Sequence, residues 1–125
     1  MAKTKKILIV EDDAAAAEAL AYLLGKRGYE ITVVATGEEA VERAAVLKPD
    51  LCVIDLKLAG DIDGYETIRR LRALPQGGCP MVIVSNYGLP QEIQRGRDAS
   101  TADYIVKSDT SVDDLLARLE RVLNS

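Results

Sequence analysis

Five short apolar runs, Ile7–Val10, Ile31–Val34, Leu51–Ile54, Met81–Val84 and Tyr104–Val106, punctuate the chain, and a longer helical pattern follows each one. Most are rich in Val and Ile. A strand with one face in water alternates apolar and polar residues, whereas an unbroken apolar run needs cover on both faces, as in a parallel sheet. Five repeats of strand and helix joined by right-handed crossovers give an open, doubly wound α/β sheet with helices on both sides.

The intervening segments carry helix signals. Ala14–Lys26 is rich in Ala and Leu and stops near Gly28, a C-terminal glycine. Thr36–Leu47 opens with Thr36 and Glu39 at capping-box spacing. Tyr65–Leu74 places Ile68, Leu71 and Leu74 on one face, and Val112–Leu123 shows a helical stripe with Ser111 as its N-cap. The segment from Pro90 to Ala99 reads as a short helix: Pro90 fits a first turn, but Gly96 weakens the interior by about 1 kcal/mol relative to alanine.

A length of 125 residues suits one domain, able to bury a core without disulfide staples. The net charge is −4 and no block of five like charges occurs, which argues against a nucleic-acid partner. No apolar stretch is long enough to span a bilayer and no leader is evident, so no membrane partner and a cytoplasmic location are expected. The absence of histidine removes imidazole general acid–base catalysis and most zinc sites. Cys52 and Cys79 lie far apart in the chain and match no metal spacing; Cys52, inside an apolar run, reads as a small buried hydrophobe.

Open α/β sheets bind ligands at the carboxyl ends of their strands. The first run ends in Glu11, Asp12 and Asp13, the third in Asp55, the fourth in Ser85 and Asn86, and the fifth in Lys107. Each has a bland explanation: Asp12 or Asp13 could cap the first helix, Ser85 could shape a turn, and Lys107 could be a surface charge. Acids from two strand ends meeting at one edge would repel by roughly 4 kcal/mol at 4 Å and an effective dielectric near 20. A hard divalent cation removes that cost, and Mg²⁺ typically takes one or two carboxylates with waters and a phosphate oxygen. A carboxylate can also attack phosphorus, and such transfer depends mainly on positioning and charge stabilisation.

The segments ILIVEDD, VIDLKLAGDIDG, VIVSN and DYIVKS, in this order and over nearly the whole chain, resemble the receiver domain of two-component response regulators, in particular single-domain, chemotaxis-regulator-like receivers. The resemblance implies a flavodoxin-like sheet in the order 2-1-3-4-5 with five helices, and residues 1–125 as one receiver domain. It implies Asp55 as phosphoacceptor, charged by a sensor histidine kinase or phosphotransfer protein. Asp12 and Asp13 match the metal-binding acid pair, completed by Asp55 and the Lys57 carbonyl. Ser85 and Lys107 match the hydroxyl and ammonium that contact the phosphoryl group, so Asp55, Lys107 and Ser85 form the reacting set. Tyr104 occupies the place of a rotamer-switching aromatic, and Lys57, Asn86 and Tyr87 flank phosphoryl access. The implied module is a phosphorylation switch, monomeric or weakly dimeric, acting on a downstream protein rather than as an enzyme on a separate substrate.

The sequence departs from that pattern in places. Ser108 follows Lys107 where proline is usual; a non-proline cis bond costs about 2.5–4 kcal/mol, so a trans bond is expected. Ala59 stands where proline is common and its loop is often one residue shorter; Ser100 and Thr101 replace small residues. A bulky Tyr87 could shield the acyl phosphate from water. The altered Ser108 and the glycine-broken fourth helical segment suit an alternative, a receiver-like interaction module independent of phosphorylation. A phosphohydrolase would need a second acid where Lys57 stands, and a nucleotide site would need a glycine-rich rather than acidic first loop.

Overall fold

A computed structural model of the chain describes residues 4–75, 79–86, 90–98 and 101–125. Among the described residues the elements run β1 (Lys6–Val10), α1 (Ala14–Lys26), β2 (Glu30–Val34), α2 (Gly37–Leu47), β3 (Leu51–Ile54), α3 (Gly64–Arg72), β4 (Met81–Ser85), α4 (Pro90–Asp98), β5 (Asp103–Val106) and α5 (Val112–Leu123). All strand pairs are parallel, in the order β2-β1-β3-β4-β5. This is the doubly wound sheet expected from the alternating pattern, in the flavodoxin-like order that the resemblance implies.

Period-two alternation along each strand builds two cores. Leu8, Val10, Cys52, Ile54, Met81, Ile83 and Tyr104 face Ala40 and Ala44 of α2 and Ile68 and Leu71 of α3. Ile7, Ile9, Leu51, Val53, Val82, Val84 and Ile105 face Leu24 of α1 and Leu116, Leu119 and Leu123 of α5. Neither face of the central strands is left to water, which is why Ile7–Val10, Leu51–Ile54 and Met81–Val84 are apolar throughout. At about 25 cal/mol per Å² of apolar surface removed from water, these two layers supply the main drive for folding.

Local signals fix the element ends. Thr36 Oγ1 accepts from the Glu39 N–H at 3.1 Å, and Ser111 Oγ accepts from the Asp114 N–H at 3.1 Å. Gly28 takes φ +93° after α1, a conformation glycine adopts without a Cβ penalty. The helix α2 ends instead on Lys48, at φ 51° and followed by Pro49, the one non-glycine with positive φ among the described residues. The helix α3 starts at Gly64 and ends at Arg72, earlier than the Tyr65–Leu74 stripe predicts. Its N-cap is Asp63, whose carboxylate accepts from the Glu66 N–H at 2.9 Å.

The long loop after β3 is tied to α2. Ala59 forms a parallel bridge with Thr36, Gly60 turns the chain at φ +94°, and the Asp61 N–H donates to Glu38 Oε2 at 3.2 Å. Among the described residues no peptide bond is cis, so Lys107–Ser108 is trans, as expected. Lys107–Asp109 forms a single 3₁₀ turn, closed by Thr110 Oγ1 donating to the Val106 carbonyl at 2.8 Å.

Candidate functional site

The sheet itself aligns the acids. The Glu11 N–H donates to the Val34 carbonyl and the Asp55 N–H to the Val10 carbonyl, both at 3.0 Å. Each acid is therefore held by a neighbouring strand one residue past its own. Val10 pairs with Ile54, so Glu11 and Asp55 fall level with one another just beyond the carboxyl ends of β1 and β3. Glu11, Asp12 and Asp55 each offer a carboxylate oxygen, and these oxygens lie within 4.8 Å of one another.

Lys107, immediately after β5, reaches into this cluster. Its Nζ lies 3.6 Å from Asp55 Oδ2 and donates a hydrogen bond to Glu11 Oε1. The second Glu11 oxygen accepts from the Asp13 N–H at 3.4 Å. Residues from three strand ends thus converge on one spot.

Asp13, expected beside Asp12 as a cation ligand, is not part of that group. Its Oδ1 accepts from the N–H groups of Ala15 and Ala16 at 3.1 and 3.2 Å, capping α1. Glu11 supplies the third carboxylate of the cluster. The reason is geometric: α1 begins at Ala14, so the preceding residue is the N-cap and its side chain turns back to the orphan amides. Strand register, which the resemblance did not weigh, identifies Glu11 as the residue level with Asp55.

The remaining candidates occupy defined places. Ser85 closes β4 opposite Val106 and is fully buried, at 0% exposure. Tyr104 lies inward in β5, with Ile83 and Leu56 in its core layer and Ile93 of α4 packed against that layer. The Lys57 side chain is exposed while its backbone N–H donates to the Asp55 carboxylate. Asn86 is exposed just past Ser85. Tyr87 and Ser100 lie outside the described residues.

Gly64, at the start of α3, also matters to the site. A Cβ on Gly64 would lie 2.5 Å from the Asp55 carbonyl oxygen and 2.7 Å from Leu56 Cα. The Gly64 N–H also donates to the Leu56 carbonyl at 2.9 Å. The first turn of α3 therefore rests directly on the backbone that carries Asp55, an approach open only to glycine.

Beneath the charges an apolar cavity of about 160 Å³, lined by Ile9, Leu20, Leu23, Val53 and Leu115, separates α1 from α5. Desolvation is accordingly the largest influence on Asp55. It raises the carboxyl, hydrogen bonding with Glu11 raises it further, and Lys107 offsets this only in part, leaving it at about 6 against an ordinary 3.8. Burial raises Glu11 too, but its hydrogen bonds with Asp55 and Lys107 outweigh that and leave it below its ordinary value. Burial would lower Lys107, yet Glu11 and Asp55 hold it above its usual value.

Three oxygen donors in a half-buried acidic recess suit a hard divalent cation rather than a soft metal. The same recess offers a carboxylate nucleophile, an ammonium and a backbone N–H around one point. That set can receive and hold a tetrahedral anion once the acidic charge is balanced.

Comparison with known proteins agrees with this geometry. The sequence model of the response regulator receiver domain family matches residues 7–120. The phosphate regulon transcriptional regulatory protein PhoB of Rhizobium meliloti is 35% identical over 119 residues, covering 94% of this chain and 52% of PhoB. The DNA-binding response regulator MtrA of Mycolicibacterium paratuberculosis is 34% identical over 103 residues, covering 82% of this chain and 44% of MtrA. The chain thus spans about half the length of these curated relatives. Among solved structures, the BeF3-activated N-terminal receiver domain of Klebsiella pneumoniae RstA superposes with a TM-score of 0.87 at 35% identity, covering 97% of this chain and 100% of that one.

Proposed function

Because this chain belongs to the family of response regulator receiver domains, we propose that it accepts a phosphoryl group on Asp55 from a phosphohistidine of a sensor kinase or phosphotransfer protein. The observation that carries this reading is the convergence of Glu11, Asp12 and Asp55 within 4.8 Å, with Lys107 beside them. Glu11, Asp12 and Asp55, with the Lys57 carbonyl, would hold Mg²⁺. When bound, the ion neutralises the carboxylates and spreads charge on the transferring group.

The protein groups divide the rest of the work. An Asp55 oxygen attacks phosphorus as the N–P bond of the donor breaks; with the donor's other ring nitrogen protonated, this leaves an acyl phosphate on Asp55 and a neutral imidazole on the donor. Lys107, now hydrogen-bonded to Glu11, is within reach of a phosphoryl oxygen on Asp55. The Lys57 N–H, already directed at Asp55, supplies a further donor. Ser85 at the end of β4 is the hydroxyl that would close on the phosphoryl group, and Tyr104 the aromatic that follows it.

The phosphoryl group brings about −1.5 to −2 of charge and three acceptor oxygens, contacts that exist in one state only. Such differential contacts are what shift a conformational equilibrium. The responding face is that of α4, β5 and α5, which would engage a downstream protein. Asn86 and the Lys57 side chain border access to the phosphoryl group, a role also assigned to Tyr87. We assign the module to the cytoplasm as a single receiver domain, monomeric or weakly dimeric, whose only chemistry is its own phosphorylation and dephosphorylation. Relatives such as MtrA are DNA-binding regulators. The acidic balance of this segment, −4 overall, supports protein rather than nucleic-acid contact for the segment itself.

Incubation with a small acyl phosphate and Mg²⁺ tests the reading. The expected result is a mass gain of one phosphoryl group, mapped to Asp55 and absent from an Asp55→Asn chain or when Mg²⁺ is chelated. No gain in the folded wild type, or one that survives Asp55→Asn, overturns it. An unmodified chain would favour the phosphorylation-independent interaction module.

A further inference from the structure

At the opposite end of β3 from Asp55 the fold makes a contact that chain spacing hides. Cys52, in β3, and Cys79, two residues before β4, place their sulfur atoms 3.1 Å apart. The register explains the meeting. Cys52 pairs with Met81, and the Cys52 N–H donates to the Pro80 carbonyl at 3.0 Å. This holds the residue before Pro80 against the start of β3. Both cysteines are reduced.

We propose that Cys52 and Cys79 are a modification site: a dithiol that closes to an intramolecular disulfide by exchange with a low-molecular-weight disulfide. Three observations support it. The sulfurs need to approach by only about 1 Å to reach the S–S bond length of roughly 2.05 Å. A cavity of about 190 Å³, lined by Ala44, Lys48, Leu71 and Leu74 as well as both cysteines, adjoins the pair and leaves room for that shift. Finally, the two thiols are unequal in access: Cys52 is buried and Cys79 half-buried, so one can meet a reagent and the other cannot.

The inequality sets the order of events. The contact between the two thiols lowers the pKa of Cys79 and, together with burial, raises that of Cys52. Cys79 is the attacking thiolate. It displaces one thiolate from the external disulfide and forms a mixed disulfide. Cys52 then gives up its proton and attacks Cys79 Sγ, expelling the second thiolate. The external disulfide takes up two electrons and two protons to become two thiols, and the protein loses two hydrogen atoms.

Closure would tether the segment between the two cysteines, which carries Asp55, Gly64 and α3, at the sheet edge remote from the acidic recess. About three residues of strand, roughly 10 Å, separate Cys52 from Asp55, so the thiol chemistry does not depend on the phosphoacceptor reading.

Equilibration of the full chain in glutathione buffers of rising oxidised fraction, followed by acid quench, alkylation and intact-mass measurement, tests this. The expected result is joint loss of both alkylatable thiols in a monomer, with no lasting glutathione adduct. Closure should also be favoured at least about 10-fold in native buffer over the same buffer with unfolding urea, since the fold supplies the juxtaposition. Cys52→Ser should stop at the mixed disulfide on Cys79. A wild type that keeps both thiols, retains an adduct, links between chains, or closes no better folded than unfolded overturns the proposal. The native-versus-urea comparison needs no variant, so it holds even where a serine at the buried position impairs folding.

Discussion

With divalent ions chelated, Asp55→Asn should stabilise the fold at neutral pH, although it removes the residue proposed to carry the chemistry. Asp55 has a side chain only 14% exposed, and it shares its recess with two other acids. Its carboxyl stands at about 6 in the fold against 3.8 in the unfolded chain, so the folded state binds its proton more tightly. A raised carboxyl favours the fold at low pH and loses that advantage as pH climbs from about 4 to 6. By pH 7 the ionised group costs at most about 3 kcal/mol, at about 1.36 kcal/mol per tenfold change in proton affinity. Asparagine abolishes this cost, and its amide N–H can donate to Glu11 as the protonated acid does. Because Glu11 loses part of its own stabilisation with Asp55, a net gain of about 2 kcal/mol is expected. Urea unfolding reads this as a midpoint rise of about 1 M. The gain should shrink toward zero near pH 4. Saturating Mg²⁺ should reverse the ranking, since binding at 100 times the dissociation constant adds about 2.7 kcal/mol to the wild type. A variant no more stable than wild type at pH 7 in chelator, or a gain unchanged at pH 4, would refute this account of the recess.

Two backbone predictions accompany it. Gly64→Ala should destabilise the chain by several kcal/mol and slow Asp55 phosphorylation, because its Cβ would meet the Asp55 carbonyl at 2.5 Å; unfolding midpoints and phosphorylation rates near wild type would contradict the close approach. Lys48→Gly should raise stability by about 1 kcal/mol, since the C-cap of α2 sits at φ 51° without glycine; thermal melts that fail to rise, or fall, would show that the lysine side chain makes compensating contacts.

Much of this was readable because both signals involved are local. An unbroken apolar run needs only its own residues to announce a doubly covered strand, as Leu51–Ile54 does, buried throughout. Caps such as Ser111 act within three residues. Strand ends followed by Asp55, Ser85 and Lys107 were legible because parallel strands all deliver their next residue to the same edge. What escaped was register. Whether Glu11 or Asp13 joins Asp55 turns on Val10 pairing with Ile54 and on α1 opening at Ala14, each a matter of one residue. The Cys52–Cys79 contact escaped for the same reason: it depends on the Cys52–Met81 pairing, which no spacing reveals. The approach of Gly64 to Asp55 likewise exists only after the β3–α3 loop is anchored on Thr36 and Glu38.

Register also limits how the proposed switch can act. The strand β5 is held at its start, where Arg118 grips Asp103 at 2.9 and 2.6 Å and donates to the Tyr104 carbonyl at 3.2 Å. It is held at its end by the 3₁₀ turn that follows Lys107. With both ends of β5 fixed, a phosphoryl group on Asp55 draws on the Lys107 side chain, exchanging its bond to Glu11, rather than on the strand. Tyr104 must then respond through what packs on it. Ser85 ends β4, Asn86 follows it, and Ile93 of α4 borders the Tyr104 layer. On this reading the path from the recess to the outer face runs through the end of β4 and α4, while Arg118 and Asp103 supply the fixed base against which that movement is made.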